Sequence, residues 1–257
     1  MIITNAFIAG LFGLCFGSLL NVINLRFGQW RSIITTRSHC PECKTTLRWY
    51  DLVPILSFVT LKGKCRYCHK PISWQYPIVE LLTAVITGLV WYALAPHSLT
   101  DIIHTLAVIG LSYVMILMAV EDYKDMTVSD QLLIAALLCA FVAAATSQLH
   151  FSTILWGIVA GAGPLAVLVL ISRETWMGWG DVLLALSVGL VLGWPKALAW
   201  VFLAFIIGAT LGLLLMALKL RGRKDPVPFV PMLLASFVVV IVWGGPIIDW
   251  YTSLFSF

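Results

Sequence analysis

The chain has 257 residues, of which 61% are hydrophobic and 11% charged, and its mean hydropathy is +0.98. A water-soluble domain carries about 25% charged residues. The composition therefore excludes an ordinary soluble domain and predicts an all-α polytopic membrane protein. The formal net charge of +4 does not indicate nucleic-acid binding, because the basic residues are clustered along the chain.

Apolar runs of about 20 residues are long enough to cross a bilayer. The chain contains eight apolar runs and so predicts about eight transmembrane helices, with the sixth the shortest: 5–25, 77–95, 102–120, 131–147, 153–171, 182–195, 197–218 and 230–248. The first run has no basic segment before it and is long enough to span. We therefore expect a transmembrane helix there and not a cleaved signal peptide.

The lysines and arginines predict the orientation of the chain, since basic loops stay on the cytoplasmic side. If the first helix runs from outside to inside, the cytoplasmic segments are 26–76, 121–130, 172–181 and 219–229. These segments hold 9, 1, 1 and 4 basic residues, which is 15 of the 16, and only Lys196 falls outside them.

Four of the six cysteines lie in the segment 26–76, as two C-x2-C pairs separated by 21 residues: Cys40, Cys43, Cys65 and Cys68. Two such pairs can supply four thiolates to a structural zinc ion, although the gap is slightly longer than is usual in a zinc ribbon. Two disulfides are the alternative, but the segment is predicted to lie in a reducing compartment. We therefore expect a small, zinc-ribbon-like cytoplasmic module between the first two helices, stabilised by its metal.

Two aspartates stand at the ends of predicted helices on the same side of the membrane. Asp122 closes the third helix and Asp181 opens the sixth. Two carboxyl groups that converge can share one proton, and one then acts as a general base on water while the other acts as a general acid. Gly178 and Gly180 lack a Cβ atom, so a substrate backbone could approach closely beside Asp181.

Each of these aspartates also has a structural interpretation, and the pattern alone does not decide between the two. Asp181 could be a helix N-cap, and Asp122 a loop charge paired with Lys124. Glu80 lies about one turn inside the second apolar run, where an acid needs a partner or access to water. An Arg or Lys near the first helix could be that partner.

Five stretches of the chain carry a family resemblance. “GWGD” (Gly178 to Asp181) is similar to the G-x-G-D motif of the intramembrane aspartyl proteases. “FGSLLNVINLR” (16–26), the cysteine segment 39–84, “EDYKDMTVSDQL” (121–132) and “VPFVP” (227–231) resemble motifs of the type 4 prepilin peptidases, also called prepilin leader peptidase/N-methyltransferases. The resemblance covers nearly the whole chain, and the motifs occur in the family's order.

The resemblance implies an aspartic endopeptidase of the bacterial inner membrane, with Asp122 and Asp181 as catalytic residues. Its substrates would be type IV prepilins or type II secretion pseudopilins, cut at the cytoplasmic face after the glycine that ends their basic leader. The new N-terminal residue would then be methylated, with S-adenosylmethionine as donor. No Gly-rich nucleotide loop is evident, so no residues for this donor can be named.

The implied organisation is a first transmembrane helix at 1–25, the four-cysteine module at 26–76 and a transmembrane catalytic domain at 77–257. Gly178, Gly180 and Glu80 would bind substrate or shape the site, and membrane lipid would surround the helices. The chain departs from the family at Ser129, where Pro is usual, and at Leu183, where Lys is common. Neither departure removes a catalytic carboxylate.

Two other classes of protein fit parts of the pattern. A transporter could use Glu80, Asp122 and Asp181 as a proton or cation path. Against it stand the lack of internal repeats and the position of both aspartates at one face. A non-catalytic assembly factor could use the cysteine module to recruit a partner, and would tolerate Asn in place of either aspartate.

Overall fold

The computed structural model describes residues 2–28, 30–220, 222, 225 and 227–254, without the side chains of Trp30 and Ile34. Arg221, Arg223 and Lys224, three of the four basic residues predicted for the last cytoplasmic segment, lie outside the described residues. Within the described part the regular structure is helical, and β pairing is limited to isolated bridges at the two cysteine turns.

The described α-helices are α1 (Ile2–Leu25), α2 (Trp30–Thr35), α3 (Leu56–Thr60), α4 (Gln75–Leu94), α5 (Leu99–Asp125), α6 (Asp130–Thr146), α7 (Phe151–Ser172), α8 (Trp179–Leu192), α9 (Lys196–Ala217) and α10 (Val230–Ser253). A single 3-10 turn, Trp49–Asp51, lies in the cysteine segment. Each of the eight apolar runs is therefore helical.

The prediction of eight spanning helices is confirmed only in part. Among the described residues, six helices are long and apolar enough to cross a membrane, namely α1, α4, α5, α7, α9 and α10. The other two apolar helices, α6 and α8, have 17 and 14 residues. At 1.5 Å per residue they are about 26 and 21 Å long, shorter than a hydrocarbon core of about 30 Å.

Large apolar side chains lie on the outer surface of the helices. Phe7, Phe12, Phe141, Phe151 and Phe202 are each more than 60% exposed. Water would solvate so many exposed rings poorly, whereas lipid acyl chains solvate them well. This surface, together with the six long apolar helices of the described part, makes the chain a membrane protein.

The helices form two compact units, Met1–Tyr92 and Ala93–Phe257. In the first unit, α1 packs closely on α4 through glycines. A Cβ atom on Gly17 would lie 2.6 Å from the Cα of Glu80, and one on Gly13 would lie 2.9 Å from the Cα of Ala84. Only a residue without a side chain permits this approach, which is a common device for packing helices in membranes. It brings the C-terminal half of α1 against the start of α4.

The second unit is a bundle of α5 to α10, in which α8 packs between α6 and α7, and α10 packs on α5 and α9. Its fully buried side chains include Leu111, Met115, Leu184, Leu233 and Phe237. The contact of α7 with the end of α8 is again very close, because a Cβ atom on Gly157 would lie 2.5 Å from the Cα of Gly193. This packing sets the position of α8, whose first turn carries Asp181.

Candidate active site

Asp122 lies in the last turn of α5 and is only 8% exposed. Its Oδ2 accepts a hydrogen bond from the backbone N–H of Val230 at 2.9 Å, and the backbone N–H of Phe229 also donates to the carboxyl group. These donors belong to the start of α10, where N–H groups have no partner within the helix and attract an anion. The start of α10 thus holds Asp122 in place.

Asp181 is the third residue of α8 and is half-buried. The N-cap of α8 is Gly178, whose backbone N–H donates to the Asp181 carboxyl group. Asp181 is therefore not the N-cap itself, although its carboxyl group contributes to capping the helix.

The carboxyl groups of Asp122 and Asp181 lie close enough to interact by charge. Both belong to the unit Ala93–Phe257. Two carboxyl groups that interact at a partly buried site resist double ionisation and titrate as a pair. A pair holding one proton has one carboxylate to accept a proton and one carboxylic acid to donate one. The arrangement is therefore suited to general acid–base hydrolysis.

Open space adjoins the start of α8. A Cβ atom on Gly178 would meet only the Gly180 backbone nitrogen, at 3.9 Å, and one on Gly180 would meet Val128 and Leu133 at ordinary contact distances of 3.7 and 3.9 Å. Packing within the described residues therefore does not require glycine at either position. The absence of a Cβ atom at these two positions would instead allow another molecule to approach the start of α8 closely.

The turn between α5 and α6 contains a contact that the sequence did not reveal. The backbone N–H and the hydroxyl of Ser129 both donate to Oε2 of Glu121, at 3.1 and 2.7 Å. Glu121 is the neighbour of Asp122, so this contact braces the chain directly after the aspartate. A proline at position 129 could form neither bond. The side chain of Leu183, the second departure from the family pattern, is 39% exposed on α8.

Glu80 lies in the other unit, at the second turn of α4, and is 7% exposed. Its Oε2 accepts from the backbone N–H of Ile55 at 2.8 Å, and the side chain of Ser18 is also hydrogen-bonded to it. No Arg or Lys forms an ion pair with Glu80 among the described residues, whose ion pairs are Arg66–Asp51 and Lys70–Glu42. Glu80 is therefore a buried acid held by neutral donors.

The four cysteines of the two C-x2-C pairs form one cluster: Cys40, Cys43, Cys65 and Cys68. Their sulfur atoms all lie within 4.8 Å of one another, and none is in a disulfide. The cluster could therefore hold a metal ion, and its four-sulfur donor set is the one that structural zinc prefers.

The two cysteine turns have the same backbone geometry. The carbonyl of Cys40 accepts from the N–H of Lys44 and that of Cys65 from the N–H of His69, each at 2.9 Å. Lys44 and His69 both have positive φ, 59° and 58°. Hydrogen bonds from the side chain and the backbone of Thr45 lower the pKa of Cys43 to about 6. The pKa of Cys68 is raised to about 11: the backbone N–H of Lys70 lowers it, but burial and hydrogen bonds with the other three thiols outweigh that effect.

Comparison with known proteins gives matches along most of the chain. Residues 11–94 match the family described as bacterial peptidase A24 N-terminal domain, and residues 109–213 match the type IV leader peptidase family. No solved structure matches the chain.

Three curated relatives each bear the name prepilin leader peptidase/N-methyltransferase. The relatives from Aeromonas hydrophila and Bacillus subtilis are each 31% identical to this chain, and each match covers 95% of it. The match covers 93% of the Aeromonas protein and 96% of the Bacillus protein. That of Legionella pneumophila is 28% identical, over 95% of this chain and 93% of the relative. The matched regions contain the two aspartates and the cysteine cluster. The chain belongs to the prepilin leader peptidase/N-methyltransferase family.

Proposed function

We propose that this protein removes the basic leader from type IV prepilins or type II secretion pseudopilins, after glycine, and methylates the new N-terminal residue. The observation that carries the cleavage reaction is the pairing of Asp122 with Asp181. The names of the relatives support both reactions, and neither the names nor the family descriptions support the transporter alternative.

The hydrogen bonds suggest a role for each aspartate. Backbone N–H donors favour the charged form of a carboxyl group. Asp122 accepts from two of them, those of Val230 and Phe229, whereas Asp181 accepts from one, that of Gly178, so we assign Asp122 as the general base. Asp181 then holds the shared proton and is the general acid. Asp122 takes a proton from water as the water oxygen bonds to the scissile carbonyl carbon, and Asp181 gives its proton to the carbonyl oxygen.

Collapse of the resulting tetrahedral diol completes the reaction. The C–N bond breaks, the leaving amine takes the proton from Asp122, and Asp181 regains a proton from a diol hydroxyl. No covalent intermediate is needed. Gly178 and Gly180 leave room for the substrate backbone beside Asp181. We propose that they bind this backbone or shape the site that receives it. We propose that Glu80 serves the methylation reaction instead.

We propose that the chain lies in the bacterial inner membrane with the segment 26–76 and both aspartates at the cytoplasmic side. The basic segments support this orientation. In this arrangement 1–25 is the first transmembrane helix, 26–76 the cysteine module and 77–257 the transmembrane catalytic domain. The short helices α6 and α8 complete eight spans, with lipid against the exposed rings. A substrate anchored by its apolar helix would present its leader junction at the depth of the aspartates.

We propose that Cys40, Cys43, Cys65 and Cys68 bind one structural zinc ion. Four sulfur ligands leave no open position, so this ion would not activate water. Its role would be to fold the module, because the module's described helices, α2 and α3, have only six and five residues. S-adenosylmethionine would supply the methyl group for the second reaction.

Replacing either aspartate by asparagine should lower leader cleavage by about 10²–10⁴-fold or more, because each variant lacks one half of the acid–base pair. Asparagine is nearly isosteric, so expression and zinc content should persist. Co-expression with a prepilin and a gel-shift assay of leader loss would measure the effect. Asp125→Asn is the matched control, since Asp125 is exposed in the same last turn of α5. Cleavage by Asp181→Asn at more than a few per cent of the wild-type rate would reduce Asp181 to a helix-capping residue.

Purified protein should contain about one zinc per chain, as four thiolate ligands require. Cys40→Ser or Cys68→Ser should lower the zinc content and make the segment 26–76 more sensitive to protease. Cys15→Ser and Cys139→Ser, on α1 and α6 and outside the cluster, should leave the zinc content unchanged. Elemental analysis and limited proteolysis would measure both effects. Full activity of a metal-free preparation would show that the structural role is wrong.

Reporter fusions should test whether the short helices span. Fusions after Arg31 and Lys124 should report a cytoplasmic position, and a fusion after Ser147, at the end of α6, should report an external one. The expected readout is phosphatase activity only for the external fusion. A cytoplasmic signal after Ser147 would mean that α6 does not cross the membrane and that the eight-span arrangement is incorrect.

A further inference from the structure

A cavity of about 620 Å³ lies within the unit Met1–Tyr92, between α1, the cysteine segment and the start of α4. Its volume falls in the range of sites that enclose a small molecule. Asp122 and Asp181 are not among the residues that line this cavity. The polar groups in its wall indicate what it could bind.

Two buried acceptors line the cavity. Glu80 is 7% exposed, and its hydrogen-bond donors are neutral. Asn21 is 2% exposed, and its Nδ2 donates to the carbonyls of Gly17 and Tyr76 at 3.3 and 3.1 Å. These two carbonyls set the orientation of the amide, so Oδ1 is an acceptor, and it has no donor among the described residues.

Asn21 and Glu80 lie on adjoining turns of the packed helices α1 and α4. Gly17, one turn before Asn21, approaches the Cα of Glu80, and Tyr76, one turn before Glu80, accepts from Asn21. A buried carboxylate without a cation and a buried amide oxygen without a donor are both costly. A ligand that brings a positively charged N–H donor, such as an ammonium group, would satisfy both.

The remaining lining narrows the choice of ligand. Four charged residues of the lining form the ion pairs Arg66–Asp51 and Lys70–Glu42. Arg26 and Lys44 bring further positive charge, and Phe58 and Tyr76 bring aromatic rings. A zwitterion with a flat heterocycle matches all three features, because its ammonium, its carboxylate and its ring each find a counterpart.

We propose that this cavity binds S-adenosylmethionine, and that Glu80 and Asn21 accept hydrogen bonds from its α-ammonium group. The proposal rests on the N-methylation proposed above and specifies where the donor binds. Glu80 also holds the backbone N–H of Ile55, which has a positive φ of 60°, so a purely structural role for Glu80 must be tested against the binding role.

The variant Glu80→Gln separates these two roles. Glutamine keeps an oxygen that can accept from Ile55 but loses the negative charge that attracts an ammonium group. Equilibrium dialysis of labelled S-adenosylmethionine against the full-length protein in detergent should show at least tenfold weaker binding to Glu80→Gln. Zinc content and melting temperature should match those of the wild type.

A second pair of variants tests the amide. Asn21→Leu should also weaken binding, whereas Asn24→Leu, one turn further along α1 and outside the cavity lining, should stay within twofold of the wild type. Methylthioadenosine, which lacks the amino-acid part of the donor, should bind to wild type and Glu80→Gln with equal affinity. Equal losses for both ligands would indicate a structural role for Glu80 and overturn the proposal.

Methylation of a pre-cleaved pilin, read by intact mass, distinguishes failure of this proposal from failure of the proposed function. The wild-type protein could methylate the pilin while Glu80→Gln binds S-adenosylmethionine as tightly as the wild type. That result would place the donor site elsewhere and leave the proposed function intact. A peptide with the mature pilin N terminus provides a further comparison. If this peptide loses affinity for Glu80→Gln while S-adenosylmethionine does not, Glu80 and Asn21 accept from the substrate amine, and the proposal is contradicted. A wild-type protein that neither binds the donor nor methylates would contradict both.

Discussion

The second unit of this protein is arranged around two carboxyl groups that would repel each other if both were ionised. Asp122 comes from the end of α5 and Asp181 from the start of α8, and the backbone N–H groups at the start of α10 stabilise the first of them. The end of α5 and the starts of α8 and α10 therefore lie close together. The close contact of Gly157 with Gly193 sets α8 in position, and the packing of α10 on α5 brings Val230 to Asp122.

The first unit meets a different constraint, since the buried apolar residues in the described part of its cysteine segment are limited to Cys40 and Cys65. The two identical cysteine turns bring four sulfur atoms together, and a metal ion there would supply the missing stability. The glycine-mediated contact of α1 with α4 leaves Asn21 and Glu80 buried beside the segment. Each unit thus has its own buried acid and, on our proposals, its own reaction.

Much of this architecture could be predicted from local patterns. Each apolar run is a helix, and the C-x2-C spacing predicted a four-cysteine cluster because that spacing constrains a short turn. Helix counting predicts that Asp122 and Asp181 lie on the same side of the membrane, and in the structure their carboxyl groups interact by charge. The spanning status of α6 and α8 could not be predicted reliably, since length and hydropathy are marginal there.

The partners of the acids were the hardest features to predict. The donor to Asp122 is a backbone N–H 108 residues away, and side-chain identity carries no signal for such a bond. For Glu80 the sequence left a cationic partner and access to water open, and the structure supplies the backbone N–H of Ile55. The contact of Ser129 with Glu121 likewise depends on the conformation of a turn that the family pattern, with its proline, did not suggest.

The central claim is that Asp122 and Asp181 act as one catalytic unit. A double-mutant comparison tests it most directly, with the purified full-length protein, a synthetic prepilin and cleavage measured by mass over long incubations. Residues that act as a unit are non-additive, so the account predicts that the variant with Asn at both positions retains about the same residual rate as either single variant. A double variant whose loss equals the product of the two single losses would show that the aspartates act independently, and would contradict the account.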